Sequence, residues 1–323
     1  MKKIAVFTSG GDSPGMNACV RAVVRTAKYN NVEVMGIMRG YAGMIENDII
    51  ELNSRSVSNI VQRGGTILKT ARSAAFMTPE GRKKAYENLR LNGVEGLVCI
   101  GGNGSFTGAK LFYEEFGIPC IGAPGTIDND LFGTDFTIGF DTAINTAVDA
   151  IDKIRDTADS HDRVFFIEVM GRHAGFIALA AGIAGGAESI LVPESAEDWH
   201  KMLEMFVGKN RSKKAFSIVV VAEGEEHGGA MQIVEYLKSV DPTFDARVSI
   251  LGHIQRGGSP SAYDRVLASR LGNAAVEALL RGETNQMAGL RNNMVVLTSF
   301  DDAINKTKHL NPDLLRLVDV FNC

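Results

Sequence analysis

No stretch of the 323-residue chain approaches the ~18 apolar residues of a membrane span, and the apolar run Ile4 to Phe7 is too short for a secretory signal. No block of five or six like charges occurs and the net charge is only −4, which excludes a polybasic arm for nucleic acid or anionic lipid. Cys19, Cys99, Cys120 and Cys323 show no CxxC or ligand spacing, and the six histidines show no HxxxH or His-Cys cluster. A disulfide framework and a tight zinc site are therefore disfavoured, and reduced core thiols in a cytoplasmic protein are expected. There is also no GxxxxGK[ST] phosphate loop, and Gly102-x-Gly104-x-x-x-Gly108 misses the GxGxxG fingerprint by one residue.

Glycine, by contrast, is in excess: 35 residues of 323, about 11% against a usual ~7%. Short β-branched runs alternate with amphipathic stretches, and 4–7, 33–37, 97–100, 119–122, 164–170, 189–192, 216–222 and 294–297 read as strands. The pattern is that of a largely parallel α/β protein, and the length suits about two domains that share the chain by crossing between them. The helix after the first strand carries Met16, Cys19, Val20, Val23, Val24 and Ala27 on one face and is expected to be capped by Asp12 or Ser13, with Pro14 in its first turn. Three glycine clusters, Ser9-Gly10-Gly11-Asp12, Gly101 to Ser105 and Gly122 to Thr126, each follow a strand end, where ligands collect in open parallel sheets. Such turns bring backbone N–H groups and a helix dipole close to phosphate; taken singly, each is also an ordinary tight turn.

Thr126-Ile127-Asp128-Asn129-Asp130 places two carboxylates at i and i+2. In an extended segment they would point to one side, about 6.5 to 7 Å apart, so that one could take a proton from an attacking hydroxyl while its neighbour helps to hold that donor. Asp-Asn-Asp is equally plain turn chemistry. Arg163, Arg172, Arg247, His253 and Arg256 stand beside strand ends or glycine turns, a placement suited to forked contacts with a phosphorylated small molecule or simply to a solvated surface. Arg21 and Arg25, at i and i+4 on a helix's polar face, allow the same two readings, and Met170 reads as core or as a substrate contact.

These strings resemble the ATP-dependent 6-phosphofructokinases of bacterial type over essentially the whole chain, through Thr8 to Asn17, Pro124 to Asp130, Glu168 to Arg172 and Gly252 to Pro260. The resemblance implies an α/β fold of two three-layer parallel-sheet, Rossmann-like domains with the active site in the cleft between them. It implies an ATP domain of residues 1–139 plus 252–305 and a fructose 6-phosphate domain of 140–251 plus 306–323. It further implies transfer of the γ-phosphoryl of Mg-ATP to the sugar 1-hydroxyl. Asp128 would be the base, with Thr126 and Asp130 beside it and Arg172 on the transferring phosphoryl; Gly11, Arg72, Ser73, Asn103, Gly104, Ser105 and Gly108 would hold ATP. Met170, Gly171, Glu223, His253 and Arg256 would grip the sugar phosphate, and Arg163 and Arg247 would reach it from a neighbouring subunit of a homotetramer.

Pyrophosphate-dependent members of the wider family carry Asp and Lys where Gly104 and Gly125 stand, so the two glycines favour ATP. Three departures accompany the resemblance. Asn103 replaces the aspartate expected to help hold Mg2+, and Ser73 replaces an aromatic that would stack on adenine. An effector site would comprise Arg21, Arg25, Arg155, Glu188 and Lys214; there Ser54, Ser212 and Phe216 replace basic residues, with Arg55 and Arg211 one position away as substitutes.

Overall fold

The computed structural model describes residues 1–160, 163–195, 197–206 and 217–321. In chain order the elements begin β1 (Lys3–Thr8), α1 (Met16–Tyr29), β2 (Glu33–Ile37), α2 (Tyr41–Glu46), β3 (Ile49–Leu52), α3 (Pro79–Leu91), β4 (Gly96–Gly101), α4 (Asn103–Phe116) and β5 (Cys120–Pro124). They continue through α5 (Phe140–Asp159), β6 (Val164–Val169), α6 (Phe176–Ala184), β7 (Ser189–Leu191), α7 (Glu197–Phe206), β8 (Ser217–Ala222), α8 (Ala230–Val240) and β9 (Ala246–Ile250). Last come α9 (Ala262–Leu280), β10 (Gln286–Arg291), β11 (Met294–Ser299), α10 (Phe300–Asn305) and α11 (Pro312–Phe321). Two compact units share this chain: Met1–Ile127, Leu131–Thr142 and Arg256–Lys308 form the first, while Asp128–Asp130, Ala143–Gln255 and the segment from His309 form the second.

The first unit is a sheet of order β11-β10-β5-β4-β1-β2-β3, parallel through its centre. Strand alternation sends Ile4, Val6, Val98 and Ile100 into one core with α1 and α9, and Ala5, Phe7, Leu97 and Cys99 into the other with Phe106, Phe112 and Phe300. Each Ile, Val, Leu or Phe among them contributes about 1.5–3 kcal/mol of burial, and a one-residue slip would cost both cores at once. The six apolar positions expected to face inward from α1 are all fully buried. Its cap is not the expected one: Gly15, left-handed at φ 108°, precedes Met16, and no side chain caps the helix. A side chain on Gly15 would meet Ile138 at 2.7 Å, so close packing against the segment after β5 decides this end.

The second unit is a parallel sheet of order β7-β8-β6-β9 among the described residues. Phe166, Val219, Val221 and Ala246 pack there against Trp199, Met202, Phe206, Ile233 and Leu237. Sequence patterning missed β3, β9 and β10. The first two are short edge strands with charged or exposed positions, and β10, Gln-Met-Ala-Gly-Leu-Arg, is held as strand by its neighbours β5 and β11 rather than by propensity. The edges β3 and β11 run antiparallel, so the first sheet is mixed rather than wholly parallel. Cys19, Cys99 and Cys120 are buried free thiols, and burial pushes the Cys19 and Cys120 thiols up to about 12, which leaves them inert. Cys323 lies outside the described residues, and no described helix is long and apolar enough to cross a membrane.

Candidate active site

In the first unit, β5, β4 and β1 are neighbours, so the three glycine turns at their C-terminal ends emerge side by side. The chain leaves β1 toward β2 on one side and β4 toward β5 on the other, which makes this edge a topological switch point. Ser9 donates its N–H to Ile100 O at 3.0 Å and Gly125 to Gly101 O at 2.9 Å, tying the turns to one another. Asn103 is the first residue of α4, after Gly102 as cap, so Asn103, Gly104 and Ser105 form the helix's first turn, whose dipole end faces the strand ends; Ser105 donates its N–H to Gly102 O at 3.0 Å.

The glycines there do different jobs. A Cβ on Gly108 would press at 3.0 Å on the Tyr41 ring, so that glycine serves close packing. Gly125 is also tight, with Ile100 at 3.0 Å and Met16 at 3.1 Å. Over Gly104, which is exposed, a Cβ would meet nothing within 4 Å, so packing does not require glycine there. Tyr41 stacks on Phe76 at 3.9 Å and donates its hydroxyl to Ser105 O at 2.5 Å. These two aromatics back the turn at Gly108 and escaped the sequence reading, because neither belongs to a glycine cluster. Ser73 accepts the Phe76 N–H at 3.3 Å, a turn-forming role, and Arg72 is exposed. Arg256 lies against Gly11, where a Cβ would stand 2.6 Å from its Nη1, and donates to Asp12 O at 3.3 Å.

Asp128 and Asn129 are buried and Asp130 is partly exposed. Asn129 is left-handed at φ 53°, so the segment is a turn and the carboxylates are not set side by side by strand alternation, contrary to the extended geometry expected. Thr137 Oγ1 donates to Thr126 O at 2.6 Å and fixes the start of that turn.

In the second unit, the C-terminal ends of adjacent strands β8, β6 and β9 deliver Glu223, then Met170 to Arg172, then His253 and Gln255. Glu223 Oε1 accepts the N–H of Gly171 at 3.3 Å and of Arg172 at 2.7 Å. This charged acceptor holds Arg172 at φ 56° with its side chain exposed, a costly backbone state for a non-glycine residue. Gln255, missed from sequence, is fully buried and accepts the Met170 N–H at 2.9 Å. His253 is exposed on a single 3-10 turn.

The remaining arginines are scattered. Arg163 is half-buried, and Arg247 is exposed and paired with Asp245. Arg21 and Arg25 lie on the outer side of α1, and Arg55 in an exposed turn. Arg155 donates to Gly185 O and, at 2.6 Å, to Gly186 O, while Glu188 accepts Ile218 N–H at 2.7 Å, so both have structural duties. Arg211, Lys214, Ser212 and Phe216 lie outside the described residues.

α/β units whose strand ends carry glycine turns, Arg172, Arg256 and a buried Asp128 suit a phosphate-handling protein of the phosphotransferase kind. The Phosphofructokinase family model matches residues 3–279. The chain is 59% identical over 322 residues to the ATP-dependent 6-phosphofructokinase of Cytophaga hutchinsonii, covering 100% of this chain and 98% of that protein. It is 59% identical over 321 residues to ATP-dependent 6-phosphofructokinase 1 of Thermus thermophilus, covering 99% of each. Among solved structures, Saccharomyces cerevisiae phosphofructokinase matches with a TM-score of 0.88 at 36% identity, over 100% of this chain and 47% of that one. The chain belongs to the phosphofructokinase family.

Proposed function

We propose that the protein is an ATP-dependent 6-phosphofructokinase, which transfers the γ-phosphoryl of ATP to the 1-hydroxyl of fructose 6-phosphate and yields fructose 1,6-bisphosphate and ADP. The observation that carries this reading is end-to-end likeness to relatives so named. Open space over Gly104 supports ATP as donor, because an aspartate there would put bulk and negative charge into the space reserved for the nucleotide's phosphates.

Phosphoryl transfer asks mainly for positioning and charge stabilisation. Asp128 takes the proton of the attacking 1-hydroxyl; Thr126 and Asp130 orient that hydroxyl, and Arg172 stabilises charge on the equatorial oxygens. Gly11, Arg72, Ser73, Asn103, Gly104, Ser105 and Gly108 bind ATP. Met170, Gly171, Glu223, His253 and Arg256 hold the sugar phosphate, with Glu223 acting through the backbone it pins as well.

Magnesium fits this donor set. The open turn beside Asn103 leaves room for an ion carried mainly on phosphate oxygens. The Asn103 amide oxygen would hold it or its water, as a neutral ligand where a carboxylate would bind more tightly. When bound, the ion would supply charge neutralisation for the donor's phosphate oxygens. We assign Arg163 and Arg247 to a sugar phosphate bound on a neighbouring copy in a homotetramer. Arg21, Arg25, Arg55, Arg155, Glu188, Arg211 and Lys214 are assigned to an effector site, and the enzyme to the cytoplasm. The test is bisphosphate formation from fructose 6-phosphate and Mg2+ with ATP or pyrophosphate. Formation with ATP is expected; activity with neither donor would make the chain a binding paralogue.

A further inference from the structure

Asp264, in the first turn of α9, is fully buried and absent from the chemistry above. Its Oδ1 accepts the Gly139 N–H at 2.9 Å, and its Oδ2 accepts the Thr142 N–H at 2.8 Å and the Thr142 hydroxyl at 2.5 Å. Thr142 Oγ1 in turn accepts Ser261 N–H at 2.9 Å, so the carboxylate sits inside a closed set of bonds. Burial raises its pKa to about 6 against these bonds, and it is ionised at neutral pH.

The segment it holds leads straight to the candidate base. Gly139, left-handed at φ 103°, follows Ile138, which donates its N–H to Pro124 O at 2.8 Å and forms a parallel bridge with Gly125. Thr137 then donates its hydroxyl to Thr126 O at 2.6 Å, two residues before Asp128. A continuous hydrogen-bonded path therefore runs from Asp264 through Gly139, Ile138 and Thr137 to the start of the Thr126 to Asp130 turn. A hydroxyl-to-base distance that must hold within fractions of an ångström is sensitive to such a path.

We propose that Asp264 is a positioning residue for phosphoryl transfer, which through Gly139, Ile138 and Thr137 sets the placement of the turn that carries Asp128. The proposal rests on the kinase reading above. In Asp264→Asn, an amide oxygen placed toward Thr142 keeps both of those bonds and points its NH2 at the Gly139 N–H, so the link to the turn is the one lost. Asp264→Asn, Thr137→Val and the double variant are compared with wild type, each checked as folded by circular dichroism, with Ser299→Ala, which removes the cap of α10, as a control for a structural loss elsewhere.

The expected result is a fall in kcat of at least tenfold for Asp264→Asn with KM for ATP within twofold. Ser299→Ala stays within twofold of wild type, and the double variant is no slower than the slower single one, because both break one path. A kcat for Asp264→Asn within twofold of wild type overturns the proposal, and so do single effects that multiply in the double variant. Should Asp264→Asn not fold, Thr137→Val decides alone: kcat at least fivefold down with an unchanged melting temperature supports the path, and unchanged kcat overturns it. A wild-type protein inactive with ATP and fructose 6-phosphate would instead remove the kinase reading itself.

Discussion

Asn17 in the first unit and Glu223 in the second both hold a loop by its backbone, with different chemistry. Asn17 donates to Arg63 O and Gly64 O, each at 3.1 Å, and accepts Ile67 N–H at 2.7 Å. Thr8, Tyr41 and Thr137 do similar work on Lys69, Ser105 and Thr126, so these loops are pinned by neutral groups. The second unit has the neutral Gln255 under Met170 but otherwise leans on carboxylates: Glu168 takes Ala230 N–H at 2.8 Å, Glu188 takes Ile218, Glu194 takes Gly175 at 2.9 Å, and Glu223 takes Gly171 and Arg172. Both kinds of pin sit beside strained backbone: Thr8 holds Lys69, left-handed at φ 59°, with a neutral group, and Glu223 holds Arg172, at φ 56°, with a charged one. A charged acceptor contributes about 1.5–3 kcal/mol, against about 1 for a neutral one, and offsets that strain.

Asp128 belongs to neither set of pins, and its loss should be the largest effect. Asp128→Asn is expected to lower kcat about 10²–10⁴-fold with both KM values nearly unchanged, by steady-state assay; comparable loss of binding would make it another pin. Next is Asp264, a carboxylate pin in the first unit, where Asp135 likewise takes Asn292 N–H. Its folded pKa of about 6 lies above the ordinary 3.8, so the folded state holds the extra proton between these values and stability falls as pH rises through that window. The fall is about 3 kcal/mol, read as a decline in urea midpoint from pH 4 to 6 that Asp264→Asn lacks. A slope identical in the variant would contradict the assignment.

Glu223→Ala removes the acceptor under Arg172 and should cost about 1.5–3 kcal/mol and raise KM for fructose 6-phosphate at least tenfold while sparing ATP. Tyr41→Phe, the neutral counterpart, should cost about 0.5–1.5 kcal/mol; a cost exceeding that of Glu223→Ala would end the contrast between the units. Smallest for stability is Gly104→Ala. Alanine in this helical position should add about 0.5–1 kcal/mol while KM for ATP rises severalfold, and a destabilised variant would show that the fold, not the ligand, needs the glycine.

What was legible in sequence is what is local. Glycine clusters at strand ends announce themselves as composition, and the six inward positions of α1 as periodicity. Glu223 meets Gly171 from 52 residues away and Asp264 meets Gly139 from 125, distances over which no spacing rule operates. Gln255 looked like one polar residue of a glycine-rich loop until β6 and β9 brought it to Met170. The left-handed Asn129 was hidden for a related reason: Asp-Asn-Asp fits strand and turn alike, and only the fold selects between them.

An open turn at Gly104 that serves ATP makes ATP, not pyrophosphate, the phosphoryl donor. One phosphorus NMR experiment addresses it directly: fructose 6-phosphate and Mg2+ with equal ATP and pyrophosphate in one tube, started with the wild-type protein. ADP and the sugar 1-phosphate resonance should grow together while pyrophosphate persists; consumption of pyrophosphate with ATP intact would contradict the account.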